Sequence, residues 1–388
     1  MPFSINHYIP KFILKTFCEE GTKNINLLDI TCFNVYKENI AKAFTKIDFY
    51  DVADEDDPKT LEKKFNQKLE NLVAPIIKKI IDSDDNFKIY RYELELIKKY
   101  IAIQRYRNPS NQYYYTNNYT GMKFSNYSKL DFEDDSDYWK REMLFILDND
   151  WDTIINQNEY PGVKFICREI NSEYLTFFRT EAEYVISDIN CFTERIKLNI
   201  PKDEKDDFLK FAKEMLVSQN LTNVKDINEL NIGDNNIFDN YTFIVLSPKL
   251  AVASVNSFWK LKHLRRINSS SFASQIRSVI LENNKNIALP RPIYVNADMI
   301  KTDSDIVKHK DKNDEYTYRI LNLTFEETKH VMMLCLNEAN LFLGYRDKNF
   351  VSQYIKAYNF LSSSGVPNIK KNYNGYIQLI ENLSKENK

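Results

Sequence analysis

Few residues in this chain have the types and spacing that chemistry needs. His7, one of four histidines in 388 residues, stands directly before Tyr8-Ile9-Pro10. The proline can open a helix there, because its missing N–H would have gone unpaired anyway. Gln104-Arg105-Tyr106-Arg107-Asn108-Pro109 is followed by Tyr113-Tyr114-Tyr115 and Tyr119. Guanidinium groups beside phenols are the materials for gripping a phosphate backbone and stacking bases, and Arg105, Tyr113 and Tyr114 are the residues expected to do so. A competing reading lets the arginines complement the negative end of the preceding helix while the tyrosines cover its flank. Trp259-Lys260-Leu261-Lys262-His263-Leu264-Arg265-Arg266 is the most basic segment. Its Lys260, Lys262, Arg265 and Arg266 are a second candidate nucleic-acid contact, set against a solvated helix face with alternating apolar anchors. The carboxylates of Asp54-Glu55-Asp56-Asp57 before Pro58 fit a helix start better than a metal site, since negative charge favours the positive helix end.

The elements that must position these groups follow from periodicity. Ile13, Leu14 and Phe17 share one face of a short amphipathic helix that seats His7 beside its N-terminus. Asn26–Asn34 and Ile47–Val52 read as short extended segments. Leu61, Phe65, Leu69, Leu72, Ile76 and Ile80 predict a helix of about six turns, kinked at Pro75. A second helix is expected from about Arg91 to Arg105, ended by Pro109, and an aromatic one around Trp139–Leu147. Between about 163 and 255 the pattern turns strand-like, with candidates at 163–170, 175–179, 183–187, 242–246 and 251–255 and a helix near 206–219. Thr324 and Glu327 form a capping box for a helix carrying His330, Met333, Leu334, Asn337 and Leu341. Asn337 falls at core spacing, where an amide must be paired; His330 is expected on the surface. A helix from Lys348, a break at 362–367 and a last helix complete the chain. The expected fold class is α+β: a predominantly helical single domain with a small mixed or antiparallel sheet from the middle of the chain. Its parts are a helical 1–150, a sheet-containing 151–300 and a helical 301–388.

Composition removes several function classes. Seven glycines in 388 residues cannot build the Gly-rich cradles of P-loop or Rossmann sites. A net charge of −2 gives no global attraction to nucleic acid or anionic membrane, so any such binding must come from a local patch. The five cysteines are scattered, with no C-x-x-C pair, which speaks against zinc knuckles and fits reduced thiols. There is no signal-like apolar core and no run of 18 apolar residues, so a soluble, cytoplasmic protein without membrane contact is expected. The wealth of tyrosine, lysine, asparagine and isoleucine matches an AT-rich genome.

His7-Tyr8-Ile9-Pro10 with Phe12, Leu14 and Phe17 resembles the leading H-Y-x-P-x-F-x-L-x-x-F signature of the bacterial domain of unknown function 4238 family. Tyr50 resembles its next aromatic landmark, Glu62 to Glu70 its Glu-rich helix, and Gln104, Arg107 and Pro109 its Q-x-x-R-x-P pattern. Val185-Ile186-Ser187-Asp188 is similar to a T-S-D-x-P-V strand end, departing from it at Ile186, Asn190 and Cys191. Leu246-Ser247-Pro248 resembles an L-S-P turn, and Leu336-Asn337 with Ala339 a terminal N-x-x-A helix. The resemblance implies no settled activity. The association of some members with mobile elements and anti-phage defence implies a toxic or sensing role.

These landmarks define a candidate site of His7, Asp188, Arg107 and Asn337 if the fold brings them together. His7 would then be a general base or metal ligand, with Asp188 orienting it or sharing a divalent metal. Arg107 would take a phosphate and Asn337 would place the substrate. That set fits a toxin-type effector with phosphodiester or nucleotide chemistry on nucleic acid or nucleotides. The alternative is a non-catalytic sensor or protein-binding defence component, responsive to a phage or host protein, in which the same residues are structural.

Overall fold

The structure is a computed structural model that describes residues 5–51, 59–107, 135–199, 238–255, 265–266, 290–363 and 373–386. Its strands are β1 (Ile5–His7), β2 (Asn24–Asp29), β3 (Asn34–Asn39), β4 (Thr45–Ile47), β5 (Asn86–Tyr90), β6 (Tyr174–Thr180), β7 (Ile186–Ser187), β8 (Phe192–Asn199), β9 (Phe238–Ser247), β10 (Leu250–Val255), β11 (Arg265–Arg266), β12 (Arg291–Ile293), β13 (Glu315–Leu323) and β14 (Phe342–Tyr345). Its helices are α1 (Lys11–Leu14), α2 (Thr60–Lys64), α3 (Asn71–Asp82), α4 (Arg91–Tyr106), α5 (Asp135–Asp148), α6 (Trp151–Asn156), α7 (Pro161–Ser172), α8 (Asp303–Lys308), α9 (Phe325–Glu338), α10 (Lys348–Ser363) and α11 (Asn374–Glu386).

The class is α+β. Among the described residues, eight strands form one sheet in the order β11-β8-β9-β10-β6-β13-β12, with β5 also on β13. All its pairings are antiparallel except β13 with β6. The sheet is therefore neither small nor confined to the middle of the chain, because β5 and β13 join it from the segments expected to be helical. β10, Leu250-Ala-Val-Ala-Ser-Val, is buried along its whole length between β9 and β6, as a short, nearly continuous apolar run predicts. A second sheet runs β3-β2-β14-β7 and joins both ends of the chain. A short ribbon pairs β1 with β4, His7 lying opposite Thr45.

Three expectations about single elements fail. Residues 163–170 lie in α7, not in a strand. Pro161 starts that helix, and Val163, Cys167 and Ile170 bury one face at helical spacing, so a β-branched stretch was folded by its packing rather than by its propensity. The long helix at 60–82 forms, but it passes through a π-helical turn over Phe65–Glu70. After it Val73 is fully buried and Leu72, expected inside, is 47% exposed, while Ile76 and Ile80 are buried as expected. Farther on, α9 carries the expected Thr324–Glu327 capping box, but its His330 is buried rather than on the surface. The apolar side chains of both sheets and the packed helices form one continuous core.

Candidate functional site

His7 ends β1 and Pro10 is the N-cap of α1, its carbonyl accepting hydrogen bonds from the Ile13 and Leu14 amides. Ile13, Leu14 and Phe17 are buried, anchoring the helix as their spacing requires. The His7 ring is buried too, with Nε2 2.8 Å from the Ile40 carbonyl oxygen. A carbonyl can only accept, so Nε2 carries the hydrogen. Burial pulls the imidazole pKa down to about 4, against the pull of the Ile40 bond and with help from the Lys11 and Arg107 charges. His7 is therefore neutral at physiological pH.

Arg107 caps the C-terminus of α4 and is almost completely buried. All three guanidinium nitrogens are engaged. Nε donates to the Tyr50 hydroxyl at 3.1 Å, Nη1 to Glu70 at 2.6 Å and Nη2 to the His7 carbonyl. The guanidinium also lies 4.3 Å from the centre of the Phe65 ring. Burial opposes its charge, but Tyr50, Glu70 and Glu62 outweigh that and raise its pKa. The π-helical turn presents both Phe65 and Glu70 to it. Arg107 and His7 thus meet through the His7 backbone, and the Arg107 side chain is almost wholly shielded from solvent, with each of its nitrogens bonded inside the protein.

Asp188 and Asn337 belong to a second cluster. Asp188 follows β7; it is buried, its amide donates to the Phe342 carbonyl, and its Oδ1 accepts from the Asn340 amide at 2.9 Å. Its charge falls on Tyr8, whose phenol is pushed up by burial first and Asp188 second. Asn337 is paired as its position demanded: its Oδ1 accepts from the Tyr358 hydroxyl at 2.7 Å. Tyr358 meets Tyr373 edge to face at 5.2 Å, and the Tyr373 hydroxyl donates to the Leu336 carbonyl. The two clusters are joined in a buried seam through rings: Tyr8 meets Phe44 edge to face at 6.0 Å, Phe44 meets Phe342 at 6.4 Å, and the Phe342 carbonyl accepts from the Asp188 amide. Asn190, where the resemblance expects proline, explains its own departure. It adopts φ +41°, which the proline ring forbids. Its side-chain amide pairs with both the carbonyl and the amide of Val245 at 3.2 Å, acting as a one-residue strand partner.

Arg105, a candidate nucleic-acid contact, is engaged inside the protein. It binds Glu169 at 2.7 Å, and Glu173 and Thr242 at 3.3 Å each, tying α4 to α7 and to the eight-stranded sheet. Glu173 also accepts from the Ser254 hydroxyl. Burial raises the Glu173 pKa in spite of Arg105, and burial pushes the nearby Cys191 thiol up to about 11. Glu173 and Ser254 carry no motif in the sequence, whereas Glu70 closes the stretch that resembles the family's Glu-rich helix. Tyr113, Tyr114, Lys260 and Lys262 lie outside the described residues, as do Pro109, the 54–58 run and the 206–219 segment. Arg265 and Arg266 form β11 on β8, so that end of the basic segment is strand, not a helix face. Among the described residues no three His, Cys, Asp or Glu side chains gather as metal ligands, and no helix is long and apolar enough to cross a membrane.

Fold and seam together define an α+β protein whose signature residues knit its N-terminal ribbon to the helices and the second sheet. The family described as "Protein of unknown function (DUF4238)" matches residues 6–286, and the chain belongs to it. The match covers the His7 signature, Arg107 and Asp188 and ends before the Asn337 helix. No curated protein and no solved structure matches the chain.

Proposed function

We propose that this chain is a non-catalytic sensor or protein-binding component of anti-phage defence, in which His7, Arg107, Asp188 and Asn337 are structural. The observation that carries this reading is the commitment of Arg107: all three nitrogens are spent inside the protein, on Tyr50, Glu70 and the His7 carbonyl. The ring of His7 and the carboxylate of Asp188 are likewise turned onto backbone groups. A phage or host protein in the cytoplasm would be the trigger. The same reading treats the chain as one predominantly helical domain, since β14 ties the C-terminal segment into the N-terminal sheet.

A toxin-type effector with phosphodiester or nucleotide chemistry is the second reading. The continuity of the seam from His7 and Tyr8 through Phe44 and Phe342 to Asp188 favours it. Expression in a bacterial host of wild type beside His7→Ala, with RNA and DNA integrity read on gels and the melting temperature of each protein, separates the two. The sensor reading expects equal growth, intact nucleic acid and a clear fall in melting temperature for His7→Ala and Asp188→Ala. Toxicity that His7→Ala relieves at an unchanged melting temperature would establish the effector instead.

A further inference from the structure

A cleft of about 380 Å³ lies between α1 and α3, over the end of β9. Phe12, Ile13, Pro75, Ile77, Ile81 and Leu246 give it an apolar wall. Its size falls within the range of small-molecule sites, roughly 300–1,000 Å³, which are apolar with a few polar groups at fixed places. Phe12, Pro75 and Ile81 are the parts of this wall that reach the surface, while Ile13, Ile77 and Leu246 form its buried floor. Pro75 sits inside α3, where it presents a ring in place of a hydrogen-bonding N–H. Phe12, a position of the signature, is only half-buried while its neighbours Ile13 and Leu14 go fully into the core.

Charge decides the occupant. The polar lining is Lys15, Thr16, Lys78 and Asp82. Lys78 and Asp82 pair with each other at 2.5 Å, and the Thr16 hydroxyl donates to the Ile13 carbonyl. Lys15 is exposed at the cleft, so the rim carries a net positive charge next to an apolar floor. We infer that this cleft binds a small amphipathic anion, its apolar tail against Phe12, Ile81 and Leu246 and its anionic head at Lys15. The inference goes beyond the sensor reading and does not rest on it, because it needs neither His7 nor a protein partner.

The test is isothermal titration of the full chain with decanoate, with decyltrimethylammonium as the matched cation. One-to-one saturable binding of decanoate is expected, with the cation failing to compete. Ala74→Trp, which fills the cleft, and Lys15→Glu, a surface change, should each weaken decanoate by at least about tenfold at an unchanged melting temperature. Should Ala74→Trp fold poorly, Lys15→Glu with Lys15→Arg as its rescue carries the test. Equal binding of the cation, or decanoate binding that survives both substitutions, overturns the proposal. So does the absence of saturable decanoate binding, which would leave the groove to a macromolecular partner.

Discussion

His7 and His330 are both buried, and burial pulls each pKa down to about 4. In the unfolded chain both return to about 6.5. Between those values the unfolded state binds more protons than the folded one, so stability rises with pH. Acidification from pH 6.5 to 4 should therefore cost roughly 3 kcal/mol for each histidine. Urea unfolding at a series of pH values should show this, and His7→Gln should flatten about half of the slope. Arg107 makes the opposite kind of contribution, since its charge is needed. Arg107→Met leaves Glu70 facing an apolar cap, and a loss of about 3–5 kcal/mol is expected in the same assay.

Several elements owe their shape to a single position. Thr324 with Glu327, Pro161 and Asn190 each set a local boundary that a propensity argument can follow. Gly344 in β14 belongs to another kind. A Cβ there would meet Ile186 Cγ2 and Ile25 Cδ1 at 2.9 Å and Phe44 Cε2 at 3.1 Å. The strand passes so close to its packing partners that only hydrogen fits. Gly344→Ala should destabilise the protein by about 1–3 kcal/mol, read as a lower midpoint in thermal unfolding with unchanged far-ultraviolet dichroism. Nothing in Leu343-Gly344-Tyr345 announces this, because the contacts come from residues far away in the chain.

At the level of the molecule, β14 holds the second sheet together. It pairs with β2 on one edge and β7 on the other, so residues 24–29 and 186–187 share a sheet only through a strand at 342–345. A chain ending at Ala339 should lose cooperative unfolding and become sensitive to proteolysis, whereas two independent halves would leave most of the transition intact. Local, covalent-range rules were enough to read the capping box, the α1 anchor residues, most helices, the strands at 174–180 and 250–255 and the need to pair Asn337. They act within a few residues and leave a periodic trace. The burial of His330, the capture of Arg105 by Glu169 and Glu173, and the engagement of Arg107 on the His7 carbonyl arise from partners tens to hundreds of residues apart. Such partners fix burial, charge pairing and the direction a side chain faces, and none of these leaves a period in the sequence.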